Sequence, residues 1–66
     1  MDAKKLGKKI KLVRVEQDMT QRNLAEATGI LQKSISRYET GQALPTLDTL
    51  EKIVKILNKP FGHFLD

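Results

Sequence analysis

Cysteine and tryptophan are absent from the 66-residue chain, and its aromatic rings are limited to one tyrosine and two phenylalanines apart from the single histidine. Without cysteine, the chain can form neither disulfide bonds nor thiolate metal sites. No apolar run approaches the roughly 20 residues of a membrane span. The lysine-rich N-terminus is not followed by the apolar segment of a signal peptide. We therefore expect a cytoplasmic protein with no membrane partner.

The length limits the chain to a single domain, to which we assign residues 1–66. A chain this short buries only about 60% of the surface that it exposes when unfolded, which leaves little room for an enclosed active site. His63 has no companion ligands at a spacing that suits a metal. Asp48 and Glu51 flank a predicted helix N-terminus, where a negative charge favours the helix. We expect no enzyme, no metal, no cofactor and no small-molecule ligand.

Positive charge is concentrated at the N-terminal end of a chain whose formal net charge is +4. As far as Arg14, only Asp2 opposes the basic residues of the first segment, which are Lys4, Lys5, Lys8, Lys9, Lys11 and Arg14. Such a run is most often a solvated helix face, but it is also typical of a surface that binds a polyanion. Charge alone leaves both interpretations open.

Apolar residues recur at spacings of three and four along the whole chain, and no strand pattern competes with them. The pattern predicts helices over about 3–17, 20–28, 32–40 and 46–58, followed by a short fifth helix after residue 60. Connections this short favour a compact all-α bundle of five helices.

Polar residues and glycines mark the predicted helix ends. Thr20 and Thr46 are good N-caps, and Gly29 and Gly41 are suited to end a helix. Asn23 stands where a capping box prefers Glu or Gln, so we expect the box at Thr20 to be incomplete.

The second and third helices are joined by a tight turn centred on Gly29 and Ile30, as in a helix-turn-helix. If Ile35 points inward, five polar side chains of the third helix point outward or lie at its tip. These are Gln32, Lys33, Ser34, Ser36 and Arg37. All can hydrogen-bond to a base edge or a phosphate, and the DNA major groove is wide enough to admit a helix.

The stretches "TQRNLAEATG", "SISRYETG" and "PTLDTLEKI", in this order and spacing, resemble the XRE-type helix-turn-helix domain, the family of the lambdoid phage repressors. The likeness extends from Leu6 to Leu65. It implies an all-α, five-helix domain of the lambda-repressor-like type that binds double-stranded DNA and regulates transcription. It further implies a dimer that acts on a palindromic operator.

The resemblance also assigns roles to individual residues. It implies base contacts by Gln32, Lys33 and Arg37, which Ser34 and Ser36 flank. It implies phosphate contacts along the second helix and the loop after the third, by Thr20, Gln21, Thr40 and Gln42. It further implies a structural salt bridge between Arg14 and Glu39.

Two residues depart from the family pattern. Leu31 stands where the family often has a serine or threonine cap, and loss of such a cap typically costs about 0.5–2 kcal/mol. We interpret Leu31 as packing against the domain, with a contact to a thymine methyl group as the alternative. Gly62 weakens the predicted last helix.

Apolar residues near the C-terminus suggest a dimer contact, for which the candidates are Leu44, Ile56, Phe61 and Phe64. A second hypothesis is a protein-interaction module, such as an antitoxin that binds a partner protein. Such a module could also bind DNA and regulate its own transcription, or have no role on DNA. A third is that these residues form one domain of a longer regulator.

Overall fold

The computed structural model describes residues 2–65, and over this range it shows four α-helices and no β-strand. In chain order they are α1 (Ala3–Glu16), α2 (Gln21–Thr28), α3 (Gln32–Glu39) and α4 (Leu47–Leu57). The all-α class is confirmed, and each α-helix begins and ends close to its predicted limits. No helix within the described range has both the length and the apolar character needed to cross a bilayer.

The prediction of five helices is wrong at the last segment, because Phe61–Phe64 forms a 3₁₀ turn instead of an α-helix. Its hydrogen bonds join residues three apart, from the His63 N–H to the Pro60 carbonyl at 3.0 Å and from the Leu65 N–H to the Gly62 carbonyl at 3.2 Å. So short a segment cannot offset the cost of nucleating an α-helix, and Gly62 lowers the helix propensity further.

Side chains cap the N-termini of α1, α2 and α4. Asp2 accepts from the backbone N–H groups of the first turn of α1, and Thr46 accepts from the Thr49 N–H at 3.2 Å. At α2, the Thr20 hydroxyl accepts from the Asn23 N–H and the Asn23 side-chain oxygen accepts from the Thr20 N–H, both at 2.9 Å. The expectation of an incomplete capping box is therefore wrong, since the short asparagine side chain still reaches the backbone of Thr20.

A single hydrophobic core lies between the helices, and each helix turns one apolar side toward it. Its buried members are Leu6, Ile10, Val13, Leu24, Ala25, Ile35, Leu50, Ile53, Val54, Leu57 and Phe64. Burial of this apolar surface is the main favourable term in folding. Because each helix turns only one side toward the core, its outer side remains available for other contacts.

Phe64 belongs to this core, with only 2% of its surface exposed, so its prediction as a dimer contact is wrong. The 3₁₀ turn folds the ring back against α1. The Lys9 ammonium binds the neighbouring His63 carbonyl at 3.1 Å and fastens the turn to that helix. Phe61 is half-buried at the edge of the core, whereas Leu44 and Ile56 are exposed.

Glycine permits α1 to lie directly against the C-terminal end of α3. A Cβ atom on Gly7 would approach the Glu39 carbonyl oxygen to 2.7 Å, and the Tyr38 carbonyl oxygen more closely still. Beyond α3, Gly41 has a φ of 78° and sits against Lys4, whose Cγ would lie 2.7 Å from an added Cβ. The loop after α3 therefore lies beside the N-terminal end of α1.

Candidate nucleic-acid interface

The turn between α2 and α3 is fixed by hydrogen bonds and by one partly buried side chain. Gly29 ends α2 in the left-handed region, with φ at 76°, and its N–H donates to the Ala25 carbonyl at 2.9 Å. The Thr28 hydroxyl donates to the Leu24 carbonyl at 2.8 Å and accepts from the Ile30 N–H at 3.2 Å. Ile30 then packs against the core. These contacts set the direction in which α3 leaves the turn.

Helix α3 presents a polar and basic surface to solvent. Ile35 is fully buried and holds the opposite side of the helix against the core. Gln32, Lys33 and Arg37 are exposed, while Ser34 and Ser36 are half-buried. The structure thus brings the predicted base-contacting residues together on the outside of one short helix, with no acidic side chain among them.

A buried ion pair joins α3 to α1, as the family resemblance implies. The Arg14 Nε lies 2.6 Å from the Glu39 Oε2, and the Arg14 Nη2 lies 3.0 Å from the Glu39 Oε1. The third guanidinium nitrogen donates to the Met19 carbonyl at 2.6 Å. Both side chains are buried and are joined by two hydrogen bonds, so this predicted salt bridge is confirmed.

Gln21 belongs to the same network. Its Nε2 donates to the Glu39 Oε1 at 3.0 Å, which ties the start of α2 to the ion pair. A primary amide has two N–H donors, and the second remains for an acceptor outside the domain. Neighbouring Thr20 uses its hydroxyl oxygen in the α2 cap.

The loop after α3 turns its backbone donors inward. The N–H groups of Gln42 and Ala43 both donate to the Arg37 carbonyl, at 2.9 and 3.3 Å, and the Gly41 N–H donates to the Tyr38 carbonyl at 3.2 Å. The Thr40 hydroxyl donates back to α3. The backbone N–H groups of Gly41, Gln42 and Ala43 are therefore occupied within the chain, whereas the Gln42 side chain is exposed.

Leu31 lies at the N-terminus of α3 with 75% of its surface exposed, so the prediction that it packs against the domain is wrong. Ile30 takes the inward position at the end of the turn, which leaves the next residue pointing outward. Leu31 makes no side-chain cap, although its carbonyl accepts from the Ser34 and Ile35 N–H groups at 3.0 and 3.1 Å. Exposure of this leucine next to Gln32 is the feature of the surface that periodicity did not reveal.

Over residues 2–65, no group of three or more histidine, aspartate or glutamate side chains is arranged to hold a metal ion. The surface of α3 can offer hydrogen bonds and positive charge, which suits a polyanionic ligand.

The sequence profile of the helix-turn-helix family matches residues 10–64, which is most of the chain. The chain belongs to the XRE-type helix-turn-helix family. Members of this family are DNA-binding transcriptional regulators, and the XRE-type domain is not an enzyme.

Curated relatives of this XRE-type domain include phage and bacterial regulators. The ImmF control region 10 kDa protein of Bacillus phage phi105 is 38% identical over 58 residues, which cover 88% of this chain and 64% of that protein. The transcriptional repressor RstR of the cryptic phage CTXphi in Vibrio cholerae is 33% identical over 86% of this chain and 51% of its own length. The transcriptional regulator PuuR of Escherichia coli is 31% identical over 88% of this chain. The match spans only 31% of PuuR.

Two solved structures share the fold of this XRE-type domain. The restriction-modification controller protein C.AhdI from Aeromonas hydrophila superposes with a TM-score of 0.91 at 22% identity, covering 96% of both chains. The clp gene regulator ClgR from C. glutamicum gives the same TM-score at 23% identity, covering 98% of this chain and 84% of that one. At these identities the likeness establishes the arrangement of the helices.

Proposed function

We propose that this domain binds a specific double-stranded DNA sequence through α3 and regulates transcription from that site. The observation that carries the proposal is the outer surface of α3, where Gln32, Lys33 and Arg37 are exposed on a helix whose other side is sealed by Ile35. A helix of this kind fits the major groove of B-DNA, which displays a different pattern of donors and acceptors for each base pair.

The exposed side chains match groups on the groove floor. Arginine and lysine donate to O6 and N7 of guanine, and glutamine can pair with N6 and N7 of adenine. We assign base reading to Gln32, Lys33 and Arg37, supported by the shorter Ser34 and Ser36. The rigid turn before α3 and the buried Ile35 supply the fixed position that reading a base edge requires.

Phosphate contacts would set the position of α3 along the duplex without reading its sequence. We assign these contacts to Thr20, Gln21, Thr40 and Gln42. The second amide hydrogen of Gln21 supports its role, since the first is held by Glu39 and fixes the side chain. Lys4 lies beside the same loop through its contact with Gly41, so the basic end of α1 extends this surface.

A homodimer on a two-fold symmetric operator would place two α3 helices about 34 Å apart, which is one turn of DNA. Leu44 and Ile56 are candidate contacts, with 51% and 37% of their surfaces exposed, and half-buried Phe61 lies at the edge of the core. A palindromic binding site would support the dimer, whereas a single unrepeated site would count against it.

Selection of binding sites from a random double-stranded DNA library tests the proposal. Wild-type protein should enrich one sequence, and Arg37→Ala or Gln32→Ala should weaken its binding by about 1–3 kcal/mol and relax the preference at particular base pairs.

Lys59→Ala is the matched control, because this exposed lysine follows α4 at a distance from α3. The end of α4 is bound by Gln17 beyond the C-terminus of α1, whereas the loop after α3 meets the N-terminal end of α1. If no sequence is enriched, the proposal fails and a protein-interaction module such as an antitoxin becomes the better hypothesis. Unchanged affinity in both α3 variants would also overturn it.

A further inference from the structure

We infer that Leu31 determines specificity by contacting the C5-methyl group of a thymine in the bound DNA. The inference rests on the proposed binding of DNA by α3. Leu31 is the most exposed large apolar side chain in the described part of the chain, and it lies at the tip of α3 beside Gln32 and Lys33.

The position of Leu31 is fixed by its neighbours. Gly29 and Ile30 hold the turn on one side, and on the other the Leu31 carbonyl accepts from the Ser34 and Ile35 N–H groups. Ile30 and Ile35 already fill the inward positions on either side of it. The leucine side chain is therefore left pointing outward, with 75% of its surface exposed.

Helix α3 differs from the other three α-helices of the described range at this residue. Asp2, Thr20 and Thr46 all place a side-chain oxygen over the first turn of their helices, whereas Leu31 places none over the first turn of α3. Small polar residues are strongly preferred at an N-cap, and leucine is among the least favourable. The chain thus forgoes a stabilising cap at the one helix that is proposed to enter DNA.

The chemistry of the groove identifies the group that an apolar tip would meet. Base edges in the major groove present hydrogen-bond donors and acceptors, and the C5-methyl of thymine is their apolar group. A leucine cannot pair with any of the donors or acceptors. Contact between the leucine and the methyl group is favourable, because it removes apolar surface of both groups from water.

Replacing thymine by deoxyuridine removes this methyl group and leaves the hydrogen-bonding edge unchanged. A site selected with wild-type protein should be prepared as duplexes in which each thymine in turn is replaced. We expect one replacement per half-site to weaken wild-type binding about three- to fivefold, as the loss of one buried methyl contact implies. On a two-fold symmetric site, Leu31→Ala removes the contact in both half-sites, so it should weaken binding to the thymine duplex by about ten- to twenty-fivefold. It should show no further loss with deoxyuridine at that position.

Leu12→Ala is the matched control, because Leu12 is an exposed leucine on the outer side of α1. It should keep the wild-type response to deoxyuridine. Leu31→Ser provides a second test that guards against misfolding, since serine supplies the missing cap. It should fold at least as well as wild type and should also be insensitive to the replacement.

Two results would overturn the inference while leaving the proposed function in place. One is a wild-type affinity that no deoxyuridine replacement changes. The other is a Leu31→Ala protein that retains the full wild-type penalty. If selection enriches no DNA sequence at all, the inference and the proposed function fail together.

Discussion

Arg14 and Glu39 lie 25 residues apart in the sequence and form a buried, two-point ion pair between α1 and α3. The same carboxylate accepts from Gln21 at the start of α2, and the same guanidinium donates to the Met19 carbonyl between α1 and α2. One glutamate therefore connects the first three helices. Its removal should affect both the stability of the domain and the placement of α3.

Glu39→Ala should lower the free energy of unfolding by about 3–5 kcal/mol, because it leaves the Arg14 charge buried without a partner. Urea denaturation measures this change. A domain of this length has a total stability of only about 3–10 kcal/mol, so the variant is expected to be largely unfolded in the weaker case.

Two further variants make this result interpretable. Replacing both partners, as Arg14→Met with Glu39→Leu, should restore most of the lost stability, since no unpaired charge remains. Glu26→Ala removes an exposed pair with Arg22 at 3.7 Å and should change stability by less than about 1 kcal/mol. Equal losses in Glu39→Ala and Glu26→Ala would contradict the role assigned to the buried pair.

Gly7→Ala should destabilise the domain by about 1–3 kcal/mol, although alanine is the better helix former. The added Cβ would lie 2.7 Å from the Glu39 carbonyl oxygen and would push α1 away from α3. Gly62→Ala is the control, because no atom lies within 4 Å of its added Cβ. In thermal unfolding, the midpoint temperature should fall for Gly7→Ala and should rise or stay unchanged for Gly62→Ala. A stable Gly7→Ala protein would show that the two helices are not in such close contact.

Lys4→Gln should reduce the salt dependence of DNA binding. A lysine that neutralises one phosphate contributes about 0.9 to the slope of log affinity against log salt concentration. Lys4 lies beside the loop after α3, whereas the exposed Lys59 follows α4. Titrations of the selected duplex over a range of salt concentrations should therefore give a shallower slope for Lys4→Gln and a smaller change for Lys59→Gln. Identical slopes for both variants and the wild type would exclude a phosphate contact by Lys4.

Asp2 should make stability depend on pH in acid. Hydrogen bonds from the backbone N–H groups of Lys5 and Lys4 lower the pKa of the Asp2 carboxyl below its ordinary value of 3.8. A carboxyl with a depressed folded-state pKa stabilises the fold above its unfolded pKa, and this contribution is lost as the pH falls through the folded-state pKa.

We therefore expect Asp2→Ala to lower the thermal midpoint at neutral pH. The difference between variant and wild type should shrink in strongly acidic solution. A difference that stays constant with pH would show that ionisation of Asp2 does not contribute.

Local patterns in the sequence predict most of the fold. Thr20 and Thr46 mark two helix starts through their hydroxyl groups, Gly29 marks the turn, and the spacing around Ile35 shows which side of α3 is buried. The partnership of Arg14 with Glu39 follows only from the family resemblance, because spacing within one helix contains no information on contacts between helices.

Other features depend on contacts that no local pattern describes. Phe64 becomes part of the core because a 3₁₀ turn folds it back on α1, and Leu31 becomes exposed because Ile30 takes the inward position before it. Asn23 completes the α2 cap although its side chain is shorter than the preferred one. The direction of the Gln42 N–H depends on the path of the loop after α3, which apolar spacing does not determine.

The contact of Gly7 with the backbone of α3 has a mechanical consequence. Side chains can change rotamer and absorb a displacement, but a helix resting on the carbonyl groups of its neighbour has no such freedom. Together with the Glu39 hydrogen bonds, this contact should make the first three helices move as one body. We therefore expect a signal that controls this domain to move or cover the whole body instead of tilting α3 alone.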